Sequence, residues 1–188
     1  MYEPDRCHIP VTKLLAGDLW VFGYGSLMWR PGFPYVELQT ARIHGYHRAL
    51  CVWSWVYRGT QSKPGLVLGL DMGGSCIGRA FRVTAANKID AVNYLYEREM
   101  VTAVYVPTFV PVRLKSQRQV TALTFVADRA HAQYAGKLRA EEAAEAVLQG
   151  CGRSGDNTDY IANTVQHLDE LGIRDRLLHR VDAIVRSG

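Results

Sequence analysis

The sequence predicts an α+β fold. Short, β-rich apolar runs crowd the first two thirds of the chain, helical patterns fill the last third, and the two kinds do not alternate as a doubly wound parallel sheet would require.

Asp18–Tyr24 (DLWVFGY) is an apolar, β-prone run interrupted by glycine, the pattern of a buried strand. Turn-forming residues follow in MWRPGFPY. Ala41–Trp55, rich in aromatic and β-branched residues, supplies one or two further strands. Arg58–Gly65 reads as a loop. Leu66–Leu70 and Cys76–Val83 are expected to form a hairpin, with the glycines in Asp71–Ser75 making its turn. Ala85–Glu99 is the first helix. Ala103–Leu114 and Val120–Val126 return to strand, and Pro107 and Pro111 predict that the former is an edge strand or is broken. Lys137–Leu148, Asn157–Leu171 and Asp175–Val185 are helices. Gly172 is placed to cap the second of these at its C-terminus, and Asp156 to cap its N-terminus, with Asp159 where a capping box has Glu. No repeat or linker interrupts the pattern, so residues 1–17 are read as an N-terminal arm and 18–188 as one domain.

Composition narrows the function classes. Of 188 residues, 48% are apolar and 21% charged, an ordinary globular balance with room for a core. No apolar run approaches the ~20 residues that a membrane helix needs. Asp5, His8 and Pro10 stand where a secretion signal would be apolar, so a cytoplasmic protein is expected. The net charge of +4 is scattered along the chain. That disfavours a nucleic-acid binder, which gathers its basic residues, and suits a small anionic substrate. Cys7, Cys51, Cys76 and Cys151 form no C-x-x-C pair, and the histidines form no H-E-x-x-H, so no metal is expected.

Two segments carry chemistry. In Val21-Phe22-Gly23-Tyr24-Gly25-Ser26-Leu27, glycines flank Tyr24 directly after a strand. Such a turn brings backbone close to a ligand, and its amides can cradle a carboxylate or an oxyanion. A purely structural tight turn would use the same residues. The dinucleotide fingerprint is excluded, because Met28 replaces its third glycine and Pro31 and Pro34 follow where a helix should open. The second segment is the end of the Ala85–Glu99 helix. Ile89, Val92, Leu95 and Tyr96 fall on one side, and Glu99 projects into the same stripe, whereas Asp90, Asn93, Glu97 and Arg98 read as solvated. Burial raises a carboxyl pKa above ~4.3, and the negative end of the helix dipole pushes the same way. A glutamate so tuned suits general-base catalysis near neutral pH. If the helix ends early, Glu99 instead turns to solvent or pairs with an arginine.

Together these segments resemble the opening and the catalytic segment of the ChaC family of γ-glutamylcyclotransferases. VFGYGSL continues as Met28-Trp29-Arg30-Pro31 and Phe33-Pro34-Tyr35. Arg58-Gly59 with Pro64-Gly65, Cys76-Ile77-Gly78 with Ala80, Tyr94-Leu95 before Arg98-Glu99, and Gly152, Ser154-Gly155, Asn157 and Tyr160 follow in the family's order. The resemblance implies a mixed, barrel-like sheet flanked by helices. It implies Glu99 as proton acceptor and Val21, Phe22, Gly23, Tyr24, Gly25, Ser26 and Leu27 as the γ-glutamyl-binding loop. Tyr35, Tyr105 and Tyr160 are carried over as candidate contacts to the substrate or its surroundings. The implied reaction closes the γ-glutamyl group of glutathione on itself, giving 5-oxoproline and Cys-Gly with no cofactor. Leu27, where the wider superfamily often has asparagine, favours the glutathione-acting branch. Other γ-glutamyl amines or peptides are the alternative substrates, and a non-catalytic regulator of cation transport is the alternative class. A serine or cysteine amidase lacks a base near Ser26 or Cys76 in sequence.

Overall fold

The computed structural model describes residues 16–188, so the arm expected over 1–17 lies outside the described residues except for Ala16 and Gly17. The chain forms two compact units. The first comprises the residues up to His47 together with Leu70–Asp128, and the second Arg48–Gly69 together with Arg129–Gly188.

The strands are β1 (Leu19–Gly23), β2 (Glu37–Ser54), β3 (Gly65–Val83), β4 (Tyr105–Leu114) and β5 (Gln119–Ala127). They close into a barrel in the order β1-β3-β2-β4-β5, with β5 returning to pair in parallel with β1 and β3. Closure removes the free edges that an open sheet would present. Helix α1 (Lys88–Glu99) covers the apolar cluster of the first unit. Its Ala91, Val92 and Leu95 pack with Leu19, Val21, Leu27, Phe33, Phe81, Leu123 and Phe125. The fold is thus α+β, as the sequence pattern predicts, with the mixed, barrel-like sheet that the family resemblance implies.

One strand expectation needs correction, and another is decided between its two alternatives. The hairpin expected at Asp71–Ser75 is instead one continuous strand, β3. Its halves do not pair with each other: Arg79–Val83 lie against β1, and Leu70 lies against Val126 of β5. Gly73 and Gly74 both have positive φ, but they bend the strand within its course, and His47 Nδ1 lies 3.0 Å from the Gly73 carbonyl oxygen. β4 is not broken. It pairs with β5 from Tyr105 to Arg113 but with β2 only over Val112–Leu114, so Tyr105–Pro111 is an edge on the side away from β5, as one of the two alternatives has it. Pro107 and Pro111, four residues apart, turn the side that lacks an N–H toward one and the same edge.

In the second unit, α2 (Ala140–Gln149), a short hairpin of β6 (Cys151–Gly152) and β7 (Gly155–Asp156), α3 (Asn157–Glu170) and α4 (Arg176–Ser187) follow in order. Ala143, Val147, Ile161, Leu168, Leu178 and Val181 are among their buried apolar residues. Gly172 ends α3 at φ +66°, and the Ile173 amide bonds back to the Leu168 carbonyl in the expected C-terminal cap. Asp156 occupies the N-cap position, but its side chain makes no cap bond and instead meets the Cys151 thiol.

The buried Asn157 holds the start of β3: its Oδ1 accepts from the Leu66 amide at 2.6 Å and its Nδ2 donates to the Leu66 carbonyl at 3.0 Å. Asn157→Ala leaves both groups unpaired away from water. It is expected to lower stability by about 1–3 kcal/mol, read as a fall in the denaturation midpoint at unchanged slope.

Candidate active site

The glycine turn is set by what packs beneath it. Val21 and Phe22 of β1 are fully buried, as are Leu27 and Met28 beyond the turn, so both ends are anchored in the core. Between them the chain folds back sharply: a Cβ on Gly23 would lie 2.9 Å from the Leu27 Cβ. Ser26–Met28 form one 3-10 turn, in which the Met28 amide bonds to Gly25 O at 2.9 Å and the Arg30 amide to Ser26 O at 2.8 Å. β3 passes directly against this turn. A Cβ on Gly78 would meet the Gly23 carbonyl oxygen at 2.2 Å and the Phe22 ring at 2.8 Å, so only glycine fits there.

The end of α1 meets the same turn. The buried face of the helix is centred on Leu95. At about 100° per residue, Ala91, Val92, Arg98 and Glu99 all lie within roughly 60° of it. Ile89 lies roughly 120° away by the same rule, and it is 44% exposed, contrary to the expectation that it shares the stripe. Arg98, expected to be solvated, is also corrected: it stands on the buried face beside Glu99.

Arg98 is the hub of the site. Its Nη2 donates to Ser26 Oγ at 2.8 Å, its Nη1 donates to the Tyr94 hydroxyl at 3.0 Å and to the Arg30 carbonyl, and its Nε lies 3.2 Å from Glu99 Oε1. One guanidinium therefore ties the Glu99 carboxylate to the glycine turn, using donors on all three nitrogens. Tyr94 is itself held by the loop after the turn. Gly32, at φ +75°, has the Tyr94 hydroxyl where its Cβ would be, and the Phe33 ring meets that of Tyr94 edge-on at 6.5 Å.

Glu99 has a side chain only 18% exposed, and Arg98 one 22% exposed. Burial pushes the Glu99 carboxyl above the ordinary glutamate range, and the adjacent Arg98 charge pulls the other way with lesser effect. The carboxylate is thus both paired and proton-hungry. Just beyond it the chain reverses through Ala103, which adopts φ +55°, a left-handed conformation that costs an alanine about 1–2 kcal/mol.

The structure brings Glu99, Ser26 and the turn residues together in the first unit. Tyr35 is 43% exposed, with its ring 5.2 Å from that of Phe81, and Tyr105 packs partly buried on the same cluster. Tyr160 belongs to the second unit, where its hydroxyl accepts from the Leu68 amide at 3.2 Å and the Arg58 guanidinium lies 5.5 Å from its ring centre. Sequence reasoning gave Arg98 no role. The available signal was its position three residues beyond Leu95 and four beyond Tyr94, on the face that packs inward. Ser26 Oγ accepts from a guanidinium, the opposite of what an activated nucleophile needs, and Cys76 is buried. Among the described residues, no three His, Cys, Asp or Glu side chains gather as metal ligands, and no helix is long and apolar enough to cross a membrane.

Comparison with known proteins identifies the family and the fold. The model of the ChaC-like protein family matches residues 19–188. The glutathione-specific γ-glutamylcyclotransferase of Escherichia coli K12 is 36% identical over 159 residues, covering 85% of this chain and 69% of that protein. The human glutathione-specific γ-glutamylcyclotransferase 1 is 33% identical, covering 88% of this chain and 78% of its own. The crystal structure of a yeast γ-glutamyl cyclotransferase specific to glutathione superposes with a TM-score of 0.82 at 22% identity, over 91% of this chain and 96% of that one, which shows a common fold. A match over nearly the whole chain, with relatives above 30% identity, means that the chain belongs to the ChaC-like family.

Proposed function

We propose that the protein is a glutathione-specific γ-glutamylcyclotransferase of the cytoplasm, with residues 18–188 acting as one functional domain and Glu99 as its general base. The observation that carries this reading is the shielded Glu99 carboxylate, joined through Arg98 to Ser26 of the glycine turn. Relatives that cover most of the chain are named for this activity, and the family match spans residues 19–188.

The γ-glutamyl group carries its own nucleophile. Its α-amine attacks the γ-carbonyl, a ring C–N bond forms, and the C–N bond to the cysteinyl nitrogen breaks. No water is consumed. Folding the substrate so that amine and carbonyl meet supplies much of the acceleration, up to roughly 7–11 kcal/mol in ideal cases. Glu99 takes the proton that the α-ammonium must lose and delivers one to the departing nitrogen of Cys-Gly. The amides of Gly25, Ser26 and Leu27 precede the first amide bonded within the 3-10 turn, that of Met28. With Val21, Phe22, Gly23 and Tyr24 setting the turn's course, they form the cradle for the α-carboxylate or the oxyanion.

The test is product analysis. Purified protein incubated with glutathione should release 5-oxoproline and Cys-Gly in equal amounts, and turn over γ-glutamyl amines or other γ-glutamyl dipeptides far more slowly. Intact glutathione after prolonged incubation would reject the proposal, and preference for another γ-glutamyl compound would reject its specificity.

A further inference from the structure

The barrel carries an open cleft of about 460 Å³, lined by Thr40, Arg42, His44, Ile77, Arg113 and Lys115 among others. Its volume falls in the range of small-molecule sites. Arg42 and Arg113 are register partners on neighbouring strands, so two guanidinium groups leave the same face of the sheet side by side. His44 follows Arg42 by two residues within β2 and so shares that face, and Lys115, the first residue of the turn after β4, lines the same cleft. The alternating residues of the two strands, Ala41, Ile43, Val112 and Leu114, are buried in the barrel.

Like charges directly opposite each other on a sheet are destabilising, and nothing here offsets them. Among the described residues, no carboxylate pairs with Arg42, Arg113 or Lys115. Other arginines of the same barrel are treated differently: Arg82 meets Asp18 and Glu37, each at 2.8 Å, and Arg118 meets Glu37 at 3.4 Å. The sequence shows the same asymmetry. No Asp or Glu occurs between Glu37 and Asp71, or between Glu99 and Asp128. The cluster is also held rigidly. The Lys115 amide donates to Thr40 O at 2.8 Å, and the turn after β4 is closed by the Gln117 amide on Leu114 O at 2.9 Å.

We propose that this cleft is a binding site for a small soluble molecule bearing a phosphate or diphosphate group, separate from the Glu99 site. Paired guanidinium forks match phosphate oxygens, Lys115 adds a point charge, and Thr40 and His44 supply further hydrogen-bonding groups. Ile77 gives an apolar wall for the rest of the ligand. The lining offers no large protruding apolar side chain for a bilayer, which favours a soluble phosphate over a lipid surface.

Titration calorimetry with inorganic pyrophosphate at low salt tests this on the whole protein. Saturable binding is expected, and Arg42→Ala/Arg113→Ala should weaken it tenfold or more. The pair Arg153→Ala/Arg174→Ala, which removes the same charge from exposed positions in the second unit, should leave it unchanged. Lys115→Gln provides a milder variant and should weaken binding severalfold. The double variant should melt no lower than the wild type, since a repulsive pair is removed. Absence of saturable binding, equal loss in the control pair, or full binding in the Arg42/Arg113 variant would overturn the proposal. So would retention on phosphatidylcholine vesicles containing phosphatidylinositol phosphate when pyrophosphate does not bind.

Discussion

Glu99→Gln is expected to reduce the rate of 5-oxoproline formation from glutathione by about 10²–10⁴-fold, the usual contribution of a positioned general base. Glutamine keeps the volume and an oxygen that can accept from Arg98, but it cannot take a proton from the substrate ammonium. Loss of folding would not explain the defect. Because burial raises the Glu99 pKa in the folded state, the folded protein binds that proton more tightly than the unfolded chain does. The ionised carboxylate therefore costs stability as pH rises above the ordinary glutamate range, a cost that glutamine does not carry. The variant should melt no lower than the wild type at pH 7, and any advantage should shrink as pH falls to the point where Glu99 is protonated in both states. Stopped-point product assays beside thermal melts at the two pH values check both halves. Full turnover in the variant would remove Glu99 from the reaction.

Arg98→Ala is expected to lower kcat/KM for glutathione by roughly 10–10²-fold, through misplacement of Glu99 and the Ser26 turn. It should also leave a signature in pH. The guanidinium favours the ionised form of Glu99, so its removal drives the carboxyl pKa still higher, and the acid limb of the kcat/KM profile should move to higher pH. Arg98→Lys retains the charge but cannot span Ser26, Tyr94, the Arg30 carbonyl and Glu99 at once. Its acid limb should stay close to the wild type while the rate remains depressed. Ser26→Ala combined with Arg98→Ala should be less damaging than the product of the two single effects, because the variants break one shared bond. An unshifted limb in Arg98→Ala would confine that residue to packing.

Where the sequence was legible, local chemistry and tertiary packing agreed. Val21 and Phe22 read as buried strand and are buried; Gly172 read as a helix stop and adopts the left-handed cap. Glu99 stood out as a carboxylate among apolar residues and is shielded in the structure. The failures share a cause, which is that the decisive partner lies far along the chain. Gly73 and Gly74 have the composition of a hairpin turn, but the strands on either side of them find partners in β1 and β5 rather than in each other. Arg98 looks like an ordinary exposed cation near a helix end, and only the return of the Ser26–Arg30 segment turns it into a bridge. Ile89, apolar yet exposed, draws the apparent apolar stripe away from the true buried face at Leu95, and Arg98 then falls outside it. Asp156 has the right residue type for a cap, yet the tight β6–β7 hairpin brings the Cys151 thiol to its side chain instead.

The physical claim under the mechanism is that Glu99 ionises unlike an ordinary surface glutamate. Protein labelled with ¹³C at the glutamate carboxyls, titrated by NMR with Glu99→Gln to assign the signal, measures this directly. The Glu99 resonance should titrate at a pH clearly above the ~4.3 of an unperturbed glutamate. A Glu99 signal titrating at the unperturbed value, or below it, would contradict the account.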